Sequence, residues 1–551
     1  MTGFSPQQRM AFWLLLAGTA FLTLWGLGRL PLLDVDEPVY GAVGRAMAAS
    51  RAWADWLTPH YNGALWFDKP PLFYWLTALS MRLCGASEWA ARLPSALAGV
   101  GTVAATVALA RRAYPQQPAA ALWAGFVLAT GAQFFLLSRA AVTDMTLALT
   151  LTLALAGVYA WLDTGRGLVL AGAMTGLACL AKGPVALVLI GLQLLLFLGW
   201  TRGWARLKSP VAWGSLALCL LICVPWYAAM TSLHGQAFVQ GFLQANNVTR
   251  FLQAEHKETN NPLWYVPVFL AFFLPWTVAV PGALRAAWGR NRAERQAAGE
   301  GARRPTLFLL LWCGLVFLFF SVSQTKLVTY IFPLFPAMAV LTGRWVAEKA
   351  AQPVQASRVI MVVFAGLLGV LAVALTIVGG KFHVAPVTRA LWLAALLGGA
   401  GWCALGRTAA GRWLAPGRWL APGLAVSAVL LAAWLSPTWN AQADALSERR
   451  PARLAGAMTP PGESIYALGL KHPSLAYYSG RRVVFTDSRE MSIADMAAHP
   501  AHVYALRPKV LQELQMEYGL RGFRLVYASP QTCLVTGSAR MTAFPRPQDS
   551  R

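Results

Sequence analysis

Long uncharged apolar runs recur along most of the chain, separated by short polar turns. A helix that crosses a bilayer needs about 20 apolar residues. Thirteen runs approach that length, near 11–29, 93–110, 119–137, 145–161, 167–181, 184–200, 211–230, 263–283, 306–322, 327–343, 359–379, 389–406 and 420–436. They predict an all-α membrane domain over residues 1–436, with the first run kept as a span. Three longer polar stretches interrupt the pattern, at about 30–92, 231–262 and 437–551. In the last, short β-rich segments at 464–468, 482–486, 502–506 and 523–527 read as strands. Helical stretches near 472–478, 490–498 and 507–518 separate them, so 437–551 is expected to be a small α/β domain.

Composition agrees with this pattern. Hydrophobic types make up 57% of the 551 residues and charged types 12%, against roughly 25% charged in a soluble domain. One large water-soluble globule is excluded. Lys and Arg number 46 against 22 Asp and Glu. In a soluble protein that excess would point to nucleic acid. Here it collects in alternate short loops, as at Arg111–Arg112, Arg202–Lys208 and Arg285–Arg304. This is the positive-inside bias, and no nucleic-acid partner is expected. It places the N-terminus in the cytoplasm and the three long stretches outside. Seven cysteines lie mostly within apolar runs, with no CxxC, so neither a disulfide framework nor a zinc–cysteine site is expected. The six-residue GRWLAP at 411–416 recurs at 417–422 and reads as a local duplication.

The ionisable residues at the outer face are the candidate chemistry. Asp34, Asp36 and Glu37 precede Pro38 and a helical face carrying Val39, Tyr40, Val43 and Met47. Acids before a proline are ordinary helix-start signals, yet three in four residues exceed what a cap needs. Asp68-Lys69-Pro70-Pro71 lies between aromatics and reads either as a cap with a snorkelling lysine or as a phosphate ligand. Arg139 and Asp144 flank one short outer turn, and Lys182 sits in another. Glu255-His256-Lys257-Glu258 follows Arg250-Phe251, and Lys326 and Tyr330 open a later span. Mixed acids and bases from separate segments of one membrane face predict an outward polar cavity, with cations for phosphate and a carboxylate for acid–base work.

These motifs resemble a known family, and the likeness runs the length of the chain. Asp36-Glu37, Lys69-Pro70, Asp144, Lys182-Gly183, Arg250-Phe251 with His256, Pro275-Trp276, and Lys326 with Tyr330 are similar to those of the bacterial GT-C membrane glycosyltransferases related to protein O-mannosyltransferases. The likeness is greatest to their lipid A aminoarabinose transferase branch, whose usual Glu-Lys-Pro is Asp68-Lys69-Pro70 here. The resemblance implies a GT-C fold of about 13 spans, with interfacial helices in the first outer loop. It implies an undecaprenyl phosphate-linked sugar as donor, inversion at the anomeric carbon, and lipid A or another periplasmic acceptor. Asp36 would be catalytic, with Glu37 and Asp144 as further catalytic candidates. Lys69, Lys182 and Arg250 would hold the donor phosphate. Lys326, Tyr330, Tyr40 and Arg139 are the candidate substrate contacts. Asp68 and His256 match positions of a metal site, with zinc the candidate ion. A monomer in the bacterial inner membrane, in contact with lipid, is expected. A transporter or flippase is the competing class, but the two matching hydropathy halves it calls for are not visible.

Overall fold

The computed structural model describes residues 4–253, 260–297, 304–352, 358–381, 384–405, 419–499 and 501–537. Each of the thirteen apolar runs coincides with helical chain. Among the described residues, seven helices are long and apolar enough to cross a membrane, and up to ten are if each of three bent pairs counts as one span. Leu72–Cys84, Leu168–Lys182 and Val185–Thr201 are shorter apolar helices. The chain is a multi-pass membrane protein. The tandem GRWLAP copies fall largely outside the described residues.

Compactness divides the chain into two units. The first comprises Met1–Leu27, Phe67–Phe73 and Arg92–Ser436; the second comprises Gly28–Trp66, Tyr74–Ala91 and Pro437–Arg551. Most of the first polar stretch therefore belongs with the C-terminal residues. The short piece Phe67–Phe73, which carries Asp68 and Lys69, belongs with the helices instead.

In the helical unit, small residues set the closest contacts. A Cβ on Gly176 would lie 2.8 Å from the Cys219 carbonyl oxygen. The helices Leu168–Lys182 and Pro210–Phe238 thus touch backbone to backbone. Lipid gives two helices no hydrophobic incentive to associate, so close packing of this kind has to hold them. The same approach brings Cys179 to Cys219 and Cys223, with the three sulfurs within 4.8 Å of one another. Sequence spacing relates only the last two.

One expected loop is not a loop. The stretch beginning at residue 231 continues the preceding helix through Phe238, with one non-helical residue at Gly235. It then runs as a π-helix over Val239–Thr249 and ends in Arg250–Leu252. Two asparagines hold the wide turns together. Asn246 donates to the Gly241 carbonyl at 2.8 Å and Asn247 to that of Phe242 at 2.7 Å. Phe238 and Phe242 stack at 5.4 Å and pack against Trp226.

Broken helices need their loose backbone groups satisfied at membrane depth. Pro118–Ala129 and Ala132–Ser138 meet at 65°. At the break the Ala132 N–H donates to the Leu274 carbonyl at 3.0 Å, and the Trp276 indole donates to Thr130 Oγ1 at 2.9 Å. Just beyond it stands Arg139, wholly buried. Its guanidinium donates to the carbonyls of Leu22 and, at 2.6 Å, Trp25, at the end of the first helix, Pro6–Leu24. The Trp434 ring lies 4.5 Å from it and donates its own N–H to the Gly26 carbonyl at 2.9 Å. Arg92 takes the Leu27 carbonyl at 3.1 Å. Arg139 thus meets the negative end of the helix dipole and its unpaired carbonyls, and Arg92 holds the turn that follows.

In the second unit the hairpin strands β1 (His60–Tyr61) and β2 (Ala64–Leu65) pair with each other. A five-stranded sheet is made by β3 (Ser464–Leu468), β4 (Arg482–Thr486), β5 (Val503–Leu506), β6 (Phe523–Ala528) and β7 (Cys533–Gly537), in the order β4-β3-β5-β7-β6. The β3–β4 and β3–β5 pairs are parallel, and β7 runs antiparallel to both its neighbours. Helices Pro473–Ser479 and Arg489–Ala498 supply the crossovers that parallel pairing demands. The sequence pattern finds four of these strands and misses β7. Cys533, Leu534 and Val535 are all buried, so β7 lacks the alternation of a half-exposed strand.

The first-helix anchor predicts that Arg139→Ala will lower the melting temperature of the detergent-solubilised protein. Two buried carbonyls lose their donor, at a cost on the order of 3 kcal/mol. Arg139→Lys should not restore it, because an ammonium cannot reproduce the guanidinium fork. Equal melting curves for wild type and Arg139→Ala would show that the anchor is not structural.

Candidate functional site

Within the helical unit a cavity of about 350 Å³ is lined by Lys69, Lys182, Arg250, Tyr330, Asn246 and Asn247. Leu147, Val185, Val188, Phe319 and Phe320 supply apolar wall. Lys69, Lys182, Arg250 and Tyr330 are four of the residues picked out in the sequence, drawn from four separate segments.

Each cation is positioned by its own local device. Lys182 is the last residue of Leu168–Lys182, and Gly183 stops that helix with a φ of 108°. A Cβ on Gly183 would lie 2.9 Å from Asn247 Oδ1, so the turn has to be glycine for the two walls to close. Lys182 Nζ lies 2.6 Å from Asp144 Oδ1 and 4.8 Å from the centre of the Tyr330 ring. Asp144 opens the helix Asp144–Thr164, where the dipole favours an acid.

Lys69 and Arg250 share one carboxylate. Asp68 Oδ1 is 3.0 Å from Lys69 Nζ and 3.6 Å from Arg250 Nη1. Burial holds the Lys69 ammonium below its ordinary pKa; Asp68 opposes this, and Arg250 and Lys182 add to it. The backbone of Arg250-Phe251 is pinned from the later span. Gln324 N–H donates to the Phe251 carbonyl at 2.9 Å and Thr325 N–H to that of Arg250 at 3.2 Å. Phe67, next to Asp68, packs on Phe238, and its carbonyl accepts from Asn246 at 3.2 Å.

The other candidates take different places. Lys326 is buried and donates to the Ser323 carbonyl at 2.5 Å and to Asn260 Oδ1 at 3.4 Å. Burial lowers its pKa. It braces the residues that pin Arg250, and the cavity wall is made by Ser323 rather than by Lys326. Arg139, expected at the substrate, does not line this cavity; the carbonyls at the end of the first helix hold it. His256 lies outside the described residues. Of the Asp68/His256 metal pair only Asp68 is described, and Lys69 and Arg250 approach its Oδ1.

The second unit holds the acids of the first polar stretch other than Asp68. Asp36 is exposed at the first position of the helix Asp36–Ala49. Glu37 beside it is buried and accepts the Leu33 N–H at 2.9 Å, so this carboxylate folds the approach to the helix. Tyr40 is buried, with its ring 5.8 Å from that of Tyr74. Asp34, which the motif reading left without a role, accepts from Ser474 N–H at 2.9 Å and from its hydroxyl at 2.5 Å. Its hydrogen bond and charge raise the pKa of His472. The Leu32 N–H donates to the Tyr478 hydroxyl at 2.7 Å. No local signal in the sequence relates residues 32–34 to 472–478.

Residues 68–228 match the family model described as dolichyl-phosphate-mannose-protein mannosyltransferase. The chain is 31% identical over 355 residues to an undecaprenyl phosphate-alpha-4-amino-4-deoxy-L-arabinose arabinosyl transferase of Pseudomonas aeruginosa, covering 62% of this chain and 60% of the relative. A protein of the same name from Edwardsiella ictaluri is 30% identical over 386 residues, covering 67% and 66%. The match thus spans less than two thirds of these relatives' own length. In fold, the chain is similar to the crystal structure of ArnT from Cupriavidus metallidurans bound to undecaprenyl phosphate. The TM-score is 0.77 at 22% identity, over 98% of this chain and 99% of that one. Family model, relatives and fold agree in making the chain similar to the bacterial GT-C membrane glycosyltransferases related to the protein O-mannosyltransferases.

Proposed function

We propose that the chain moves 4-amino-4-deoxy-L-arabinose from undecaprenyl phosphate to lipid A at the periplasmic face of the inner membrane, acting as a monomer with its N-terminus in the cytoplasm. The observation that carries this reading is the cavity where Lys69, Lys182 and Arg250 converge on an otherwise largely apolar wall. Cations on such a wall suit an anionic head attached to a hydrocarbon chain. The names of the sequence relatives supply the sugar and the polyprenyl carrier.

In this reading an acceptor oxygen attacks the anomeric carbon from the face opposite the phosphate. The bond from that carbon to the phosphate oxygen breaks, and undecaprenyl phosphate leaves with the electron pair. Negative charge grows on the leaving phosphate, and fixed cations in a site of low dielectric stabilise it more than water does. Asp144 holds Lys182 at the cavity, and Asp68 holds Lys69 and Arg250. Asp36, exposed at the head of its helix, is assigned to the acceptor. It takes the proton of a hydroxyl acceptor, or orients a phosphate acceptor that is already ionised. No step uses a metal ion.

Asp36→Asn is expected to leave folding intact and to lower transfer by about 10²–10⁴-fold, the usual share of a general base. The assay is the mass gain of lipid A incubated with purified protein and undecaprenyl phosphate-linked aminoarabinose in detergent. Turnover within twofold of wild type would remove Asp36 from the mechanism.

Lys69→Ala or Arg250→Ala should weaken binding of undecaprenyl phosphate roughly ten- to hundredfold, the value of one charge-assisted hydrogen bond. The lowered pKa of Lys69 adds a pH dependence. The protonated form binds phosphate, so affinity is full below the folded pKa of Lys69 and falls as pH rises through it. Lys69→Arg keeps its charge throughout, and its alkaline loss should move to higher pH. Superimposable pH profiles for wild type and Lys69→Arg would count against Lys69 as a phosphate ligand.

A further inference from the structure

We propose that Asp495, His499 and His502 form a binding site for a zinc-class divalent metal ion in the second unit. The chain geometry collects them. The helix Arg489–Ala498 runs out at His499, whose N–H donates to the Asp495 carbonyl at 2.8 Å. Asp495 and His499 therefore stand one turn apart on the same helix face. The His502 N–H then donates to the His499 carbonyl at 3.0 Å, one residue before β5 begins.

The donor atoms lie close enough to share one ion, with each imidazole facing its own oxygen of the carboxylate. His499 Nδ1 lies 3.1 Å from Asp495 Oδ1, and His502 Nδ1 lies 3.3 Å from Asp495 Oδ2. One donor atom from each residue falls within 4.8 Å of the other two. Tetrahedral zinc with ligand bonds near 2.0–2.1 Å sets its donors about 3.3 Å apart. The two imidazoles lie almost parallel, with centroids 4.6 Å apart and planes 12° apart, so both present Nδ1 to the same carboxylate.

The surroundings fix these ligands as outer partners fix a metal site. The Tyr504 hydroxyl donates to Asp495 Oδ2 at 2.6 Å. The Tyr466 ring stacks on His502 at 5.2 Å, and Tyr466 and Tyr504 are register partners across β3 and β5. The His499 side chain is 55% exposed, which leaves a route in for the ion. Two imidazoles and one carboxylate select zinc over magnesium or calcium. A bound ion would tie the helix end to the sheet and stabilise the folded unit in proportion to its affinity.

The test uses full-length protein in detergent, stripped with a chelator and titrated with zinc chloride or magnesium chloride. Bound metal is counted by elemental mass spectrometry, and melting temperature is followed in parallel. The expected result is one zinc equivalent bound by wild type that is missing from His499→Ala/His502→Ala, with a zinc-dependent rise in melting temperature only in wild type. Magnesium should give neither. His499→Gln alters an exposed ring and should fold normally; it should weaken zinc at least tenfold. Cobalt(II) should show a tetrahedral visible spectrum in wild type and lose it in the double variant. Equal zinc content and affinity in wild type and both variants would overturn the site, leaving Asp495 as a hydrogen-bond acceptor for two histidines. Failure of wild type to bind zinc at micromolar concentration would overturn it as well.

Discussion

An ionised side chain at membrane depth has to find a partner of opposite charge or a polar backbone group. The helical unit is arranged around that constraint. Lys182 meets Asp144, Lys69 and Arg250 meet Asp68, and Arg139 meets the carbonyls at the end of the first helix. Apart from that of the adjacent Asp68 and Lys69, each pairing ties together segments far apart in the chain. The same contacts that make the charges tolerable therefore define which helices are neighbours.

The pairings divide the cations into two kinds. Arg139 and Arg92 give their donors to backbone carbonyls and serve the fold. Lys69, Lys182 and Arg250 give theirs to carboxylates while lining a cavity with apolar walls. A phosphate that enters such a cavity meets cations already oriented, so little reorganisation is needed as charge develops on it. Lys326 stands behind them, fixing the turn that positions Arg250. In the second unit the acids divide in the same way. Asp34 and Glu37 accept from backbone and hydroxyl donors, and Asp36 is exposed at the head of its helix.

The membrane character, the helix positions and most of the C-terminal sheet were legible from periodicity, because burial in lipid and burial in a sheet each impose a repeat on the residues. The family was legible from Asp36-Glu37, Lys69-Pro70 and Lys182-Gly183. The helical start of the 231–262 stretch was not legible, since the Asn246 and Asn247 hydrogen bonds run to carbonyls five residues back and local propensity does not anticipate a π-helix. The strand β7 was hidden because a strand buried on both faces has no alternation.

What the sequence determined alone is therefore the part set by local repeats and by residue type: apolar length, the charge bias of the loops, and the candidate cations and acids. Tertiary structure decided which of those charges share a cavity. Asp144 and Lys182 are 38 positions apart, and Asp68 and Arg250 lie farther still. It decided that Arg139 braces a helix end, and that Asp495, His499 and His502 point their donors at one another. Those outcomes depend on side-chain direction and on the packing of distant segments, and neither is encoded in the spacing of residues along the chain.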